Sequence, residues 1–426
     1  MKKLSIPQLL GINTCWLGLS FMWNSLHPIV LPAVLLHMVP AEAKNSWLGL
    51  LTFGGVLLAM LIQPLSGAAS DRWRSRLGRR RPLAILGTSL DFIFLALLAW
   101  SGNLAVVILG YFGLQLASNI AHGPLQGLLP DLVPRDQLGR AAALKNLMEM
   151  GGLILASLAA GRLLSPADPR PTAVVLIIMA VLALSALLTF LSARENSTLS
   201  EETGGEKGLR SLRELIPHGL FQVDWKANRD FFLLVASRFV FLLGLYGVQT
   251  FVQYYIQDVM RAQNPVRATG ELMVTLALTV LVCGLLGGWL TDRIGARRVI
   301  LAASLLSSLA CLLLVTAADL ASLNLYAGVL GAGLGLYLTS NWALASRLAP
   351  QGEAGKYLGL TNLATAGASV ASKLLGVPID MLNHSSPGQF LGYRGLFLLA
   401  SLGALFSLLL FRQVRELQAL FRNNLK

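Results

Sequence analysis

Residues 67–82 read Gly-Ala-Ala-Ser-Asp-Arg-Trp-Arg-Ser-Arg-Leu-Gly-Arg-Arg-Arg-Pro and lie between two long apolar runs. In a soluble protein, this many arginines would suggest a nucleic-acid patch or a solvated charge run. A short basic stretch between apolar runs is instead typical of a cytoplasmic turn between two membrane spans. The stretch therefore predicts a membrane protein and no nucleic-acid partner.

A second copy of this stretch lies at residues 288–298, which read Gly-Trp-Leu-Thr-Asp-Arg-Ile-Gly-Ala-Arg-Arg. The first copy supplies Gly67, Asp71, Arg72, Gly78, Arg80 and Arg81, and these recur as Gly288, Asp292, Arg293, Gly295, Arg297 and Arg298. Another set recurs at one constant spacing, with Leu132, Pro134, Gly139, Arg140, Asn146 and Leu147 matched by Leu348, Pro350, Gly355, Lys356, Asn362 and Leu363. The chain is therefore predicted to be a duplication.

The composition indicates a polytopic membrane protein. Of the 426 residues, 55% are apolar and only 13% are charged, and the mean hydropathy is +0.64. The net charge is +13, and most Lys and Arg fall on one side of the membrane if the amino terminus is inside. This asymmetry predicts a multi-pass protein of the inner (plasma) membrane, with both termini cytoplasmic.

Twelve apolar runs are each long enough to cross a bilayer core of about 30 Å. They give the spans 9–36, 47–69, 83–100, 105–129, 141–164, 172–193, 231–256, 271–290, 299–317, 320–344, 358–379 and 395–411. The predicted fold is an all-α membrane protein of twelve transmembrane helices in two parallel-repeat six-helix halves, with domains 1–193 and 231–426. Residues 194–230 are too polar to cross and are predicted to form a cytoplasmic linker, with part of 209–221 as a surface helix.

The pattern Gly-x-x-x-Asp-Arg-x-Gly-Arg-Arg resembles the loop between the second and third helices of major facilitator superfamily transporters. Residues 70–82 further resemble the sucrose:proton symporters, which belong with the glycoside-pentoside-hexuronide symporters. The fourth span extends this resemblance through Ala117, Asn119, Gly123, Pro124, Leu128, Leu129 and Asp131. The resemblance implies a monomeric transporter of a small molecule by alternating access, without a cofactor. It also implies that the two basic loops act as conformational switches.

Two departures leave the coupling ion open. In this span the plant symporters carry an Asp linked to proton coupling and an Arg linked to sugar binding. This chain has Gln115 and Gln126 at those two positions. The spans hold few ionisable groups, so the coupling candidates are Asp91, Glu149 and Arg238. Glu149 could instead pair with Lys145 at i, i+4. Proton symport and uniport both remain open.

Neutral polar side chains form stripes at intervals of three and four on the first, fourth and seventh spans. These helices line the cavity in the transporters that the chain resembles. Amides next to Trp and Tyr can bind hydroxyls and stack on an apolar sugar face, which predicts a small neutral polyhydroxylated solute, a sugar or glycoside. Hydrogen bonding between helices is the alternative. The candidate binding residues are Asn13, Trp16, Asn24, His27, Gln115, Asn119, His122, Gln126, Tyr246, Gln249 and Gln253.

Other functions have less support in the residues. A drug or lipophile exporter of the same fold would be favoured by a wide apolar cavity, and a non-transporting scaffold by an absence of solute flux. The chain shows no His-Glu-x-x-His, Gly-x-Ser-x-Gly or Cys-x-x-Cys motif, so no enzyme is predicted. Its three cysteines lie singly within apolar runs, which predicts no metal site. The run Gly-Ala-Gly-Leu-Gly at 331–335 lies within a span and predicts close helix packing.

Overall fold

A computed structural model of the chain describes residues 3–164, 171–193, 195, 197–198, 228–349 and 354–414. Every regular element within these ranges is helical. The elements are α1 (Ile6–Ser25), a π-helical turn (Leu26–Val30), α2 (Leu31–Leu36), a 3-10 turn (Ala41–Ala43), α3 (Lys44–Arg72), α4 (Arg81–Ala99), α5 (Leu104–Leu132), a 3-10 turn (Arg135–Gln137), α6 (Leu138–Leu163), α7 (Thr172–Ser192), α8 (Arg229–Asp258), α9 (Pro265–Ile294), α10 (Ala296–Val315), α11 (Leu320–Leu348), α12 (Ala354–Lys373), α13 (Gly376–Ser385) and α14 (Leu391–Arg412).

Eleven helical segments of the described chain are long and apolar enough to cross a membrane. Many large apolar side chains on them are exposed, such as Leu285 at 73% and Leu191 at 62%. Faces of this kind are stable only against lipid, because a soluble surface does not carry them in such number. The structure confirms the predicted all-α membrane fold.

The remaining predicted span, 358–379, is interrupted. Helix α12 ends at Lys373, the turn at Leu374 and Leu375 forms tighter i to i−3 hydrogen bonds, and α13 begins at Gly376. Pro378 favours the interruption, because it has no N–H to donate to the carbonyl oxygen of Leu374, four residues earlier. The sequence predicted the apolar run and missed this break.

The chain forms two compact units. Unit 1 consists of Met1–Val39 and Leu51–Pro217, and unit 2 of Pro40–Leu50 and His218–Lys426. The sequence places residues 40–50 in the first half, whereas their contacts group them with unit 2. The full division into 1–193, 194–230 and 231–426 stays a prediction. Most of the predicted linker, including 209–221, lies outside the described residues.

Each unit uses the same internal packing, as a duplication requires. In unit 1, α1 packs against α6 and α7, and α4 packs against α5. In unit 2, α8 packs in the same way against α12 and α14, and α10 against α11. The first helix of each unit therefore lies against its fifth and sixth, and the third against the fourth.

Glycines bring neighbouring helices close together in both units. A Cβ on Gly335 would lie 2.4 Å from the carbonyl oxygen of Val280, and one on Gly123 would lie 2.4 Å from that of Gln63. Neither position can accept a side chain without moving a helix backbone. Close helix packing was predicted for the run 331–335, and the contacts of Gly335 confirm it.

Candidate functional site

A π-helical turn interrupts the first span of unit 1 at His27. Pro28 and Pro32 have no N–H to donate, so the regular ladder cannot run through them, and the N–H of Leu31 bonds to the carbonyl oxygen of Leu26, five residues earlier. Such turns often mark functional sites because they change the direction in which a side chain points. Here the turn carries the half-buried imidazole of His27.

Side chains of α5 and of its own preceding helix, α1, hold His27 in place. Its ring stacks on the indole of Trp23 with centroids 4.9 Å apart, and the indole N–H donates to Ser118 Oγ at 3.3 Å. His27 Nε2 lies 3.0 Å from the Tyr111 hydroxyl, which also accepts a 2.8 Å hydrogen bond from Gln115 Nε2. A histidine fixed from both sides presents one ring face and edge in a defined direction.

Gln115 and Asn119 lie near this ring on α5 and are almost fully buried. Asn119 Nδ2 donates to the backbone oxygen of Gln115 at 2.7 Å, so the two amides bond along their own helix. Both were predicted to bind the solute directly. The structure gives them hydrogen-bond partners within the protein, whereas the nearby side chains of Trp23 and His27 are only half-buried.

A second cluster in unit 1 combines aromatic rings with an ion pair. The rings of Trp16 and His122 meet edge to face with centroids 5.0 Å apart. Lys145 Nζ lies 4.1 Å from the centre of the Trp16 ring and 3.2 Å from Glu149 Oε1. The charges of Lys145 and Glu149 therefore compensate each other, and this cluster is neutral.

Other predicted residues of unit 1 lie apart from these clusters. The amide of Asn13 is buried and donates to the carbonyl oxygen of Leu9 on its own helix. Asn24 is half-buried and donates to Ser20. Gln126 is exposed on α5. Asn13 and Gln126 are therefore not joined to the ring clusters.

In unit 2, the predicted stripe follows α8. Tyr246 and Gln249 are half-buried, Gln249 Nε2 makes a 4.0 Å contact with Met273 Sδ, and Gln253 is buried. The stronger feature of α8 is Arg238, which is only 6% exposed and donates to side chains on two other helices. Asn341 and Thr365, its acceptors, were missed by the sequence analysis.

Asp91 is the remaining coupling candidate. It lies on α4 and is fully buried, and neither of its carboxyl oxygens has a hydrogen-bond partner within the described ranges. An ionised carboxylate without partners in an apolar interior costs several kcal/mol. Of the three coupling candidates, Asp91 is the one carboxyl whose charge nothing in the described residues offsets.

The first basic loop is closed by a buried arginine. Arg80 pairs with Asp71 at the end of α3 and with Asp131 at the end of α5, where Nε and Oδ2 are 2.9 Å apart. Its Nη1 also donates to Ser70 Oγ at 2.6 Å. Gly78 holds a φ of 93°, which only glycine adopts readily, and so lets the loop turn back toward these helices.

Backbone and side-chain contacts beyond this centre hold the same loop. Glu195 accepts hydrogen bonds from the backbone N–H groups of Arg80 and Arg81. Arg81 also reaches the carbonyl oxygen of Phe190 at 2.9 Å. Gly67 contributes its carbonyl oxygen to Arg80, and Arg72 ends α3.

The second basic loop is much looser. Among the described residues, Asp292 forms one ion pair, with Arg347 at 3.7 Å, and both side chains are more than half exposed. Arg297 reaches the backbone oxygen of Arg412 at 3.4 Å, and Arg293 stacks on Trp289. Arg347 stands at the position that matches Asp131 in the duplication, so the charge has the opposite sign. Gly295 keeps the positive φ of Gly78, at 88°. The backbone of the motif therefore recurs without its ionic centre.

A polar cluster that the sequence did not predict holds the start of α3 within unit 2. Lys44 Nζ lies 2.5 Å from Asp258 Oδ1, and the Tyr393 hydroxyl donates to the other oxygen of Asp258 at 2.7 Å. Asn45 Nδ2 donates to Asp380 Oδ1 at 2.8 Å and to Tyr393 at 3.1 Å. The cluster borders a cavity of about 400 Å³. It explains why Pro40–Leu50 groups with unit 2.

The described residues contain no group of His, Cys, Asp or Glu side chains that could hold a metal ion.

Some residues that the sequence analysis missed could have been found from their spacing along a helix. Tyr111 lies four residues before Gln115, and Asn341 four residues after Tyr337, so each extends a polar stripe along one helix face. Their partners on other helices could not be found from spacing.

The two units share the same helix packing, and their surfaces suit contact with lipid. Each also holds polar side chains in fixed positions inside its spans. These features together are those of a membrane transport protein. The chain belongs to the Major Facilitator Superfamily, whose family model matches residues 14–372. The family and the relatives below are transporters, so the protein is not an enzyme.

Curated relatives match only part of the chain. A sucrose transport protein of Arabidopsis thaliana is 28% identical over 150 residues, which cover 32% of this chain and 29% of the relative. A general alpha-glucoside permease of Schizosaccharomyces pombe is 26% identical over 156 residues, which cover 32% and 28%. The match spans less than a third of the length of either relative.

Solved structures match the fold over nearly the whole chain. The crystal structure of a D-xylose-proton symporter has a TM-score of 0.72 at 16% identity, covering 96% of this chain and 98% of that one. The nucleoside transporter NupG has a TM-score of 0.72 at 14% identity, covering 96% and 99%. These similarities establish the fold and leave the solute open.

Proposed function

We propose that the protein is a secondary transporter that moves a sugar or glycoside across the membrane by alternating access. The observation that carries the proposal is the Trp23 and His27 ring pair, fixed by Ser118 and Tyr111. An indole face stacks on the C–H face of a pyranose ring, and imidazole and amide groups bond its hydroxyls. The sucrose and alpha-glucoside transport proteins among the relatives support the same solute class.

The polar groups around the two ring clusters of unit 1 favour an uncharged solute. Lys145 and Glu149 compensate each other, and the polar groups around His27 are neutral amides and hydroxyls. This agrees with the neutral polyhydroxylated solute expected from the sequence. The role of Tyr111 and Gln115 is to position His27.

Removing the stacking surface should weaken sugar binding. We expect Trp23→Ala to raise the dissociation constant for sucrose or maltose about tenfold, because one stacked aromatic contact and its burial contribute about 1.4 kcal/mol or more. Tyr111→Phe should raise it less, since only the orientation of His27 changes. Binding is measured by ligand-induced thermal stabilisation of the purified protein.

Trp100→Ala provides the matched control, because Trp100 is 64% exposed at the end of α4 in the same unit. It should leave sugar binding unchanged.

Counterflow in liposomes then tests transport itself. Sugar flux no faster than in protein-free liposomes would contradict the proposal, and competition by lipophilic cations but not by sugars would favour an exporter.

We also propose that both termini and the linker 194–230 are cytoplasmic, as the charge asymmetry predicts. Cysteine at Gly204 should then resist a membrane-impermeant maleimide in intact cells and react after lysis. Gly102→Cys, in the loop after α4, should react from outside and is the control. The three native cysteines are first replaced, because Cys283 is only half-buried. Labelling of Gly204→Cys in intact cells would contradict the proposed topology and favour the opposite orientation.

A further inference from the structure

The arginines of the first basic loop and of the helix ends beside it divide into two sets. Arg79 and Arg80 pair with Asp131, and Arg81 donates to the carbonyl oxygen of Phe190. The members of the other set are exposed and make no hydrogen bond or ion pair with the described residues; they are Arg72, Arg74 and Arg76. Unit 1 therefore neutralises or satisfies one set and leaves the other set open to a partner from outside.

An extension of the first basic loop carries most of this open charge. Residues 73–77 lie between two positions of the repeated motif at which the second basic loop has the single residue Ile294. The extension contains Arg74 and Arg76, for which the second loop has no counterpart. Both loops carry positive charge at the end of a span, so the positive-inside pattern alone does not account for the extension.

Hydrogen bonds fix the backbone of the extension. The N–H of Ser75 donates to Thr198 Oγ1 at 3.2 Å, and the N–H of Thr198 donates to the carbonyl oxygen of Ser75, also at 3.2 Å. Ser75 Oγ donates to the carbonyl oxygen of Gly78 at 2.7 Å and accepts from the N–H of Leu77 at 3.0 Å. The arginines on either side of Ser75 therefore extend from a fixed backbone.

Two large apolar side chains are exposed among these arginines. Trp73 is 44% exposed and Leu77 is 48% exposed. The loop joins α3 to α4, which are both long and apolar enough to cross a membrane, so it lies near the level of the lipid headgroups. Tryptophan is enriched at that level, because its ring has an apolar body and a polar N–H. Arginine binds a phosphate group through paired hydrogen bonds.

We propose that the surface formed by Trp73, Arg74, Arg76 and Leu77 binds the headgroup of an anionic phospholipid. The two guanidinium groups hold the phosphate and compensate the charge of the lipid, and the two apolar side chains contact its acyl chains. A zwitterionic headgroup brings its own cation and leaves the arginines without a net counter-charge. The surface is therefore selective for anionic lipid. This inference adds a lipid partner and does not depend on the solute.

The test measures lipid binding to the purified full-length protein in a neutral detergent. Phosphatidylglycerol or phosphatidylcholine with the same acyl chains is titrated in, and thermal stabilisation gives the apparent affinity. We expect phosphatidylglycerol to bind about 25-fold more tightly, because each arginine near an anionic group strengthens binding about fivefold. The double variant Arg74→Gln and Arg76→Gln should lose most of this preference.

The double variant Arg261→Gln and Arg267→Gln is the matched control. It removes two exposed arginines near the turn between α8 and α9 of unit 2, and it should keep the preference. Arg74→Lys combined with Arg76→Lys keeps both charges without the paired donors, so it should keep only part of the preference. All four arginines are exposed, and the variants are expected to fold.

Four results would overturn the inference. A preference that persists in Arg74→Gln and Arg76→Gln would place the lipid elsewhere. An equal loss in the control would show that only the net charge matters. Inorganic phosphate that stabilises the protein as strongly as phosphatidylglycerol at the same concentration would assign the surface to a free anion. A glutamine variant that is less stable even without added lipid would show that the arginines neutralise acidic groups of the protein itself.

Discussion

Replacing Arg80 with glutamine is expected to slow transport about tenfold or more and to lower the midpoint of thermal unfolding, because two carboxylates lose their shared cation. The Arg80 side chain is only 10% exposed, and it joins Asp71 on α3 to Asp131 on α5. Without it, Arg79, at 2.8 Å, is the one cation that still pairs with Asp131 in the described part of the chain. The loop would then no longer fix the ends of these two helices.

The duplication supplies a matched control. Arg297 occupies the position of Arg80 in the second basic loop, but within the described residues its one hydrogen bond is a 3.4 Å contact with a backbone oxygen. Arg297→Gln should therefore leave both transport and thermal stability close to those of the unmodified protein. Equal losses in the two variants would show that the ionic centre of the first loop has no special role.

Asp71→Asn tests the conformational role more finely. It keeps the size of the side chain and weakens one ion pair, so turnover should fall while the equilibrium affinity for sugar stays nearly constant. Asp292→Asn, whose pair with Arg347 is long and exposed, should change neither. A variant of Asp71 that transports normally, or that loses binding as well, would contradict a switch function for this loop.

The sequence predicted the features that depend on composition and local periodicity. Apolar runs of span length and the position of charge determine which segments cross the membrane, so the helices and the duplication could be predicted. The break before Gly376 was missed because the run 358–379 has the length of a span, although Pro378 is a helix-breaking signal within it. The placement of Pro40–Leu50 in unit 2 was missed because it depends on Lys44 and Asn45 meeting Asp258 and Asp380, more than two hundred residues away.

The candidate site shows the same limit. The polar stripe on α5 was predicted, but the burial of Gln115 and Asn119 was not. Gln115 donates to the Tyr111 hydroxyl, and the sequence does not distinguish Tyr111 from a packing residue. In α8 the sequence identified Arg238 as an ionisable group. It could not show that the acceptors are Asn341 and Thr365 rather than a carboxylate.

An inward proton gradient is expected to accelerate uptake by the unmodified protein, and Asp91→Asn is expected to remove that acceleration. Coupling requires a carboxyl whose charge is balanced by a proton. Glu149 already pairs with Lys145 at 3.2 Å, whereas the buried oxygens of Asp91 have no hydrogen-bond partner within the described residues. Asparagine has the size of the protonated acid, so Asp91→Asn should still exchange sugar across liposomes without a gradient.

Uptake and exchange are measured in the same liposomes, with and without the imposed gradient, for the unmodified protein, Asp91→Asn and Glu149→Gln. Glu149→Gln should remain driven by the gradient, although its loss leaves Lys145 beside Trp16 without a counter-charge and should weaken sugar binding. If Glu149→Gln loses the response to the gradient and Asp91→Asn keeps it, the coupling carboxyl is Glu149 and not Asp91. An unmodified protein that ignores the gradient would be a uniporter, in which Asp91 is a buried neutral acid between packed helices and the proton has no part in transport.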